Sequence, residues 1–414
     1  MMSKPTVYAS ELLTPSVFIE RVGRFSVLVE LELQGQLRRV KVYLANPGRM
    51  HEMLLPGVVM HLAPRPGRSL AWEVLALSWS QRWPGDQPRV VFVNAAKLND
   101  VAEVLLRQRR IPSLSEYEIE QREVTLQHRD GGPQSSSRID FLLRKTSGER
   151  RLLELKSVTL VEHGLAMFPD AQTARALRHV EALRQAKLPA TLLFLIQGQA
   201  ERFSPDLHND LALSRALFEA RSELELLAVQ VDVVLQPDEG TGLARCVLGA
   251  SLRTLPIDWQ GHPERLALQR GLEDRGCYLL VLQLGGEGVA GVSIWVGALG
   301  ELTFEPGYYV YVGSARRALS ARVARHLRRR KQFHWHIDYL REYARSIRAF
   351  PIRAVEAECA LAAQLRALGP AVRGFGSSDC GCGGHLFAVG ERDPVHGAAF
   401  QALLTRWRHG SEPR

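Results

Sequence analysis

The chain of 414 residues has few cysteines and no long apolar segment. Its five cysteines are odd in number and unevenly spread, which argues against a disulfide framework. It has no run of about 18 apolar residues, and the amino-terminal MMSKPTVYASELL has no apolar signal core. We therefore expect a cytoplasmic protein that does not enter a membrane. Internal repeats and low-complexity tracts are also lacking.

Positive charge is in excess. The formal net charge is +9 at pH 7, and the composition, 46% hydrophobic and 23% charged, is typical of a globular protein rather than a disordered one. The chain is too long for one ordinary core, so two or three domains are expected. The excess of positive charge favours a polyanionic partner, and nucleic acid is the most economical candidate.

Three blocks of different pattern follow one another along the chain. Short strand-like runs separated by turns occupy residues 18–80 and predict a small barrel within a domain 1–85. Residues 86–258 mix strands with helices and predict an α/β domain. Prolines and glycines predict a linker at 259–272. Residues 273–414 then form an α+β domain with strands, a basic helix and a second helix.

Three ionisable residues interrupt the apolar pattern of a predicted hairpin in the second block. If Asp140 faces Glu154 across the hairpin, the loop runs from Lys145 to Glu149, an ordinary length. Side chains alternate along a strand, so this register places Asp140, Glu154 and Lys156 on one face.

Two carboxylates and an ammonium in one patch predict a metal-dependent site. Like charges about 4 Å apart repel by roughly 4 kcal/mol at an effective dielectric of about 20, so the acids need cations. Lys156 supplies one, and Mg²⁺ or Mn²⁺ bound by Asp140 and Glu154 would supply the rest. The lysine would orient a water or stabilise charge on a phosphodiester. A solvated strand face is the alternative, but the neighbouring leucines and valines indicate a strand buried on both faces, where unpaired acids are rare.

Arginines beside these elements are candidate phosphate contacts. Arg175 and Arg178 are three residues apart on a predicted helix and so share one side, which fits phosphate contact and a solvated face equally. Arg21, Arg24 and Arg49 lie beside barrel strands, where OB folds commonly hold single strands. Loop arginines are frequent in any protein, so both interpretations stay open.

A basic segment follows in the third block. Between Arg316 and Lys331 lie eight lysines and arginines and no acid. Arg322, Arg325 and Arg329 recur at intervals of three and four residues and predict one stripe along a helix. A merely solvated basic helix usually carries some glutamate, so the segment favours nucleic-acid contact.

A glycine-rich segment near the carboxy terminus contains Cys380, Cys382 and His385. Together with Cys359 these residues offer a possible metal site, but C-x-C is tighter than the usual zinc spacing. A glycine-rich turn with reduced thiols is the favoured interpretation, and no metal is assigned there.

Several motifs of the first two blocks are distinctive, namely SRIDFLL, LELKSVTLVEHGLAMFPDAQTARALRHVEAL, R-x-x-R-F at Arg21–Phe25 and N-P-G-R at Asn46–Arg49. Over residues about 12–258 they resemble the sugar fermentation stimulation protein A (SfsA) family. The resemblance implies an OB-like barrel, a nuclease domain of the PD-(D/E)xK type and DNA binding, with Asp140, Glu154 and Lys156 as the motif residues. Asp170 follows this motif and is in the wrong order to belong to it. An accessory group of the site is one interpretation of Asp170, and a helix cap before Ala171 is the favoured one.

The third block has motifs of another kind, Gly276–Tyr278, Tyr311–Gly313, the helical Arg322, and Glu358 in VEAECALA. They resemble a divergent GIY-YIG nuclease domain, of the uncharacterised subgroup also joined to endonuclease III-like proteins. The resemblance implies that a tyrosine helps to deprotonate water, Arg322 holds the phosphate and Glu358 binds Mg²⁺. The gap between the two tyrosine motifs is long, which predicts an inserted hairpin, and the usual terminal asparagine is not evident.

Two functions remain open at this point. In the first, the chain is a metal-dependent endonuclease that joins two nuclease folds and acts on DNA or RNA. In the second, it is a non-hydrolytic DNA-binding regulator of sugar-utilisation genes. The intact set of Asp140, Glu154 and Lys156 favours hydrolysis, because a pure binder has no need of two acids next to phosphate.

Overall fold

The computed structural model describes residues 6–7, 12–55, 57–79, 89–127, 136–162, 164–241, 243–259, 273–285 and 291–409. They form two compact units, Met1–Asp206 with Ala212–Trp259, and Leu207–Leu211 with Gln260–Arg414. All but the first residue of the predicted linker 259–272 lies outside the described residues. Within the described residues, no helix combines the length and the apolar character needed to cross a membrane.

The first unit begins with the predicted OB-like barrel. Its strands are β2 (Thr14–Gly23), β3 (Ser26–Leu33), β4 (Gln36–Leu44), β5 (Val59–Pro64), β6 (Trp72–Trp79) and β7 (Arg89–Phe92). They follow the order β4-β3-β2-β5-β6-β7, and a parallel pairing of β4 with β6 closes the barrel around buried valines, leucines and methionines. The sequence pattern does not reveal β2, because two irregularities in its pairing with β3 break the alternation of side chains.

A seven-stranded mixed sheet follows in the same unit. In spatial order its strands are β1 (Thr6–Val7), β16 (Ala244–Leu255), β15 (Glu225–Pro237), β13 (Ala190–Ile196), β10 (Arg150–Val158), β9 (Ser136–Lys145) and β8 (Tyr117–Gln127). The three strands β10, β13 and β15 pair in parallel. A small second sheet contains β11 (Leu160–Glu162), β12 (Leu165–Phe168) and β14 (Arg202–Pro205).

Helices cover both faces of the seven-stranded sheet. Helix α1 (Leu98–Arg107) packs with Phe141, Leu153 and their neighbours, whereas α2 (Ala174–Gln185) and α3 (Leu211–Ala220) belong to the core that contains Leu152. Both Leu152 and Leu153 are fully buried, as the strand pattern predicts. The unit is therefore of the expected α/β class.

The hairpin of β9 and β10 adopts the predicted register. Leu142 faces Leu152 and Arg144 faces Arg150, with the last ladder pair at Phe141 and Leu153. Beyond that pair the ladder between β9 and β10 ends, while β10 continues to pair in parallel with β13. Asp140 and Glu154 lie at this point.

The second unit is built on an antiparallel sheet of order β21-β17-β20-β22. Its strands are β17 (Gly276–Leu284), β20 (Gly307–Ala315), β21 (Ala344–Arg353) and β22 (Leu386–Gly390), and its helices are α4 (Leu319–Leu327), α5 (His336–Tyr343), α6 (Glu358–Leu365) and α7 (Ala398–His409). A separate hairpin of β18 (Val292–Trp295) and β19 (Glu301–Phe304) interrupts the path from β17 to β20. The predicted inserted hairpin is thus confirmed.

Candidate functional site

The three ionisable residues of the hairpin lie together. Lys156 Nζ is 2.5 Å from Glu154 Oε1. The backbone N–H of Asp140 donates to Glu154 Oε2 at 3.2 Å, and the backbone N–H of Leu155 donates to Asp140 Oδ2 at 2.8 Å. The ladder ends at this point and leaves a backbone N–H group of each strand available. Each of these N–H groups binds the carboxylate on the opposite strand.

Two further side chains complete this cluster, one from each helical layer. Asn99 on α1 donates through Nδ2 to Asp140 Oδ1 at 2.9 Å. His179 on α2 is buried and hydrogen-bonds Glu154 Oε1 through Nδ1. Sequence reasoning assigned neither residue to the site. The available clue was that His179 interrupts the apolar face of α2 next to Ala176 and Val180.

Burial and mutual charge set the protonation of the two acids. Burial alone would raise the pKa of Glu154, but the charge of Lys156 and the hydrogen bond from His179 outweigh it and lower the pKa to about 2. For Asp140, burial and then the negative charge of Glu154 raise the pKa. Asp140 is therefore the less readily ionised acid, and a cation bound between the two would favour its charged form.

A pocket opens beside Lys156, between the start of α2 and the barrel. Basic, small and polar residues line it: Arg24, Asn46, Pro47, Gly48, Ala95, Lys156, Ser157, Thr159, Phe168, Pro169, Asp170, Ala171, Gln172, Thr173, Ala174, Arg175 and Ala176. The Arg24 and Arg175 side chains are exposed on its wall. Through Lys156 the pocket lies next to the acid cluster, and two exposed arginines share its lining.

Asp170 lies in this pocket rather than at a helix cap. Thr173 caps α2, because its hydroxyl accepts the N–H of Ala176 at 3.2 Å. A Cβ atom on Gly48 would come within 1.9 Å of Asp170 Oδ2, so the N-P-G-R loop packs its glycine directly on the carboxylate. Burial, opposed by the charge of Arg21, raises the pKa of Asp170 to about 6. The favoured capping role is wrong, and Asp170 is a further acid of the pocket.

Arg21 holds the same loop in place. All five N–H groups of its guanidinium donate to backbone carbonyls, those of Gly23, Arg24, Asn46, Gly48 and Arg49. The half-buried Arg21 is therefore fully engaged by the backbone of this loop, unlike the exposed Arg24 and Arg49. The guanidinium of Arg24 lies 5.3 Å from the ring centre of Phe25, which is 41% exposed.

The two arginines of α2 that the sequence singled out, Arg175 and Arg178, are both exposed. Arg175 Nε lies 3.5 Å from His179 Nε2, which connects it to the acid cluster. Arg178 lies one turn further along the same helix. Both side chains remain available to a ligand.

A second pocket collects the candidate residues of the second unit. It is lined by Tyr278, Tyr311, Gly313, Ser314, Arg322, His334, Trp335, His336, Glu358, Gly376, Ser378 and Asp379. Arg322 Nη1 donates to the carbonyl of Ser314 at 2.6 Å, and its guanidinium lies 5.0 Å from the Trp335 ring. Glu358 accepts from the Ser314 hydroxyl and lies 2.9 Å from His385 Nδ1.

The two tyrosines of this pocket resist ionisation. Burial raises the pKa of Tyr278 and of Tyr311 above the ordinary range, and the charge of Arg322 only partly opposes it. The hydroxyl of Tyr278 lies 2.9 Å from His326 Nε2. A tyrosinate base in this pocket therefore needs added positive charge.

The basic segment is partly neutralised by an acid outside it. Buried Asp338 on α5 pairs with Arg325 at 3.0 Å and with Lys331 at 2.9 Å. Helix α4 ends at Leu327, so Arg329 does not continue the predicted helical stripe; its guanidinium donates to the carbonyl of Ala344 at 3.0 Å. Arg316 lies before the helix and is exposed.

Comparisons with known proteins agree with this architecture. Residues 19–84 match the SfsA N-terminal OB domain and residues 96–237 match the sugar fermentation stimulation protein RE domain. A sugar fermentation stimulation protein homolog from Methanothermobacter thermautotrophicus is 33% identical over 251 residues, which cover 59% of this chain and 93% of the relative. The chain belongs to the sugar fermentation stimulation protein family.

Further relatives of this SfsA-family chain are similar over the same part. A homolog from Chloroflexus aggregans is 36% identical over 237 residues, covering 56% of this chain and 82% of the relative. The structure of Pyrococcus furiosus SfsA in complex with Ca²⁺ covers 62% of this chain and 100% of its own, with a TM-score of 0.50 and 23% identity, and thus shares the fold. Residues 277–406 match a domain of unknown function, DUF123.

Proposed function

We propose that this SfsA-family protein is a divalent-metal-dependent nuclease that hydrolyses phosphodiester bonds of DNA, or of RNA, at Asp140, Glu154 and Lys156. One observation carries the proposal: two carboxylates are fixed by backbone N–H groups next to a lysine that lines a pocket with exposed arginines. A phosphodiester needs positive charge for binding and oriented groups for hydrolysis, and this pocket offers both.

The donor set fits a hard divalent cation. Glu154 Oε2 and each oxygen of Asp140 accept one hydrogen bond from the protein, so each retains a lone pair for a metal. Pyrococcus furiosus SfsA was solved with Ca²⁺. For this chain we propose Mg²⁺ or Mn²⁺ held by Asp140 and Glu154. Such an ion, when bound, supplies Lewis-acid polarisation of the phosphodiester.

The surrounding residues take supporting roles. Lys156, held by Glu154 at 2.5 Å, orients the attacking water or stabilises negative charge on the phosphate. Asn99 and His179 fix the orientation of the two carboxylates. Arg24 and Arg175 bind phosphate groups, and exposed Phe25 offers a ring on which a base can stack.

We further propose that the domain 86–258 is of the PD-(D/E)xK type and the domain 273–414 of the GIY-YIG type, after the barrel domain 1–85. The proximity of Tyr278, Tyr311, Arg322 and Glu358 in one pocket supports a second nuclease site, with Arg322 on the phosphate and Glu358 as its metal-binding acid. The high pKa of both tyrosines makes this second site the weaker of the two.

The test is incubation of the full chain with supercoiled DNA, single-stranded DNA and RNA in Mg²⁺ or Mn²⁺. Glu154→Gln should reduce cleavage by about 100-fold or more, because the metal loses a charged ligand. Glu118→Gln, on the exposed face of β8, is the matched control. Cleavage that persists in Glu154→Gln, Tyr311→Phe and Arg322→Ala would contradict both sites. Binding without cleavage in either metal would instead favour a non-hydrolytic DNA-binding regulator.

A further inference from the structure

Four metal-ligating side chains meet at one edge of the second unit. Candidate ligand atoms of Cys359, Cys380, Cys382 and His385 all lie within 4.8 Å of one another. In the part of the chain that the structure describes, this is the only group of three or more such side chains that could hold an ion. None of the five cysteines, all of them in described segments, forms a disulfide.

The fold brings these ligands from two separate segments. Cys359 lies in the first turn of α6, whereas the other three come from the glycine-rich loop that leads into β22. A Cβ atom on Gly384 would lie 2.2 Å from the carbonyl oxygen of Val372, so only glycine lets this loop close on its neighbour. The narrow C-x-C spacing is compatible with a metal here because Cys359 supplies a ligand from outside the loop.

We propose that Cys359, Cys380, Cys382 and His385 bind one Zn²⁺ ion in a closed tetrahedral site. Three thiolates and an imidazole are a common ligand set of structural zinc. Zinc–sulfur bonds of about 2.3 Å place tetrahedral sulfurs about 3.8 Å apart, so small side-chain rotations suffice from the observed spacing. Binding displaces the protons of the three thiols into solvent.

The orientation of His385 supports a metal on its Nε2 atom. This nitrogen points at the thiols, 3.6 Å from Cys380 Sγ, while Nδ1 lies 2.9 Å from Glu358 Oε1. The ring is buried, at 2% exposure. A zinc-bound histidine usually donates its other N–H to a carboxylate, and His385 has such a partner in place.

Glu358 connects this zinc site to the pocket of the second unit. Its other oxygen accepts from Ser314, and both residues line the pocket with Arg322. Zinc on Nε2 fixes the tautomer of His385 that donates from Nδ1, and thereby fixes one oxygen of Glu358. His385 is in this sense a positioning residue. This coupling rests on the proposed nuclease function, whereas the zinc site itself does not.

The experiment measures the metal in the full chain purified without chelator or added metal. We expect about one zinc ion per chain, the stoichiometry of a closed four-ligand site. The Cys382→Ser variant should retain less than about a tenth of the zinc bound by the wild-type chain, because it loses one thiolate ligand. Cys246→Ala, a buried cysteine of the first unit, is the matched control and should keep its zinc.

A second measurement guards against variants that fail to fold. Co²⁺ exchanged into the wild-type chain should show the thiolate charge-transfer and tetrahedral d–d absorption bands expected of a sulfur-rich site. Zinc below about a tenth of an ion per chain, absent cobalt bands, or a disulfide among Cys359, Cys380 and Cys382 would each overturn the site. Stoichiometric zinc in a chain that cleaves no nucleic acid supports the site and counts against the nuclease function, so the two failures are distinguishable.

Discussion

Asp140 and Glu154 in the first unit are held by backbone N–H groups, whereas Glu358 in the second unit is held by side chains. The first pair therefore depends on strand register, which the sheet enforces along its whole length. Glu358 depends instead on a hydroxyl and on an imidazole in a glycine-rich loop. Asp140 and Glu154 therefore keep their positions in the sheet without a bound ligand. Glu358 keeps its position only if the loop that carries His385 is itself fixed.

Replacing one acid in each unit, Glu154 in the first and Glu358 in the second, should show the largest difference between them. The Glu154 side chain is 3% exposed, and its loss leaves Lys156 and His179 without their acceptor, so Glu154→Ala should lower the free energy of unfolding by about 3 kcal/mol. The Glu358 side chain is 26% exposed, and Glu358→Ala should cost about 1 kcal/mol. Urea unfolding measures both. Equal losses would mean that the first acid is no more firmly embedded than the second.

The next effect concerns pH and Asp170. Its pKa in the folded protein is about 6, above the value of 3.8 for the free side chain, so folding favours its protonated form. The contribution to stability is full below about pH 4 and is lost as pH rises through 6, by about 3 kcal/mol in total. Asp170→Asn should remove this fall when unfolding is followed from pH 4 to 7. If the free energy of unfolding fell equally with pH in variant and wild type, Asp170 would not be the group with the raised pKa.

The smallest expected effect is on DNA binding, and it should distinguish exposed arginines from arginines that are paired with an acid. Arg24→Ala should weaken DNA binding about fivefold and reduce the salt dependence by about one counterion, because it removes one exposed phosphate contact. Arg39→Ala is the control: it removes an exposed side chain of β4 and should change neither the affinity for DNA nor its salt dependence.

Arg325→Ala should lower the free energy of unfolding and leave the salt dependence of DNA binding unchanged, because Arg325 is paired with Asp338. If Arg325→Ala weakened DNA binding more than Arg24→Ala does, the prediction would be wrong.

The acid cluster was predictable because it depends on local rules. The β9–β10 hairpin has a short glycine-containing loop and alternating side chains, and these two features fix its register and the shared face of Asp140, Glu154 and Lys156. The length and apolar character of β13, and the periodic pattern of α2, were equally visible in the sequence. The short strand-like runs predicted a small barrel and the resemblance to SfsA indicated that it is OB-like; both expectations are confirmed.

The features missed from the sequence depend on distant contacts. The place of Asp170 follows from its packing against Gly48, and no local pattern contains that contact. The basic segment appeared unbalanced because its acid, Asp338, lies in the next helix. The sequence grouped Cys359 with Cys380, Cys382 and His385 but led to no metal assignment, because the C-x-C spacing does not reveal that their ligand atoms lie within 4.8 Å of one another. Residue spacing along the chain does not predict contacts between distant segments.

The hydrogen bonds from Asn99 and His179 to the two acids link the proposed catalytic site to the packing of both helical layers on the sheet. Each residue stands on a different helix, on opposite sides of the sheet. Helices at a surface open more readily than central strands do. We therefore expect gentle heating or mild denaturant to abolish the proposed cleavage while the strands are still paired, so that loss of activity would be the earliest sign that the fold is beginning to fail.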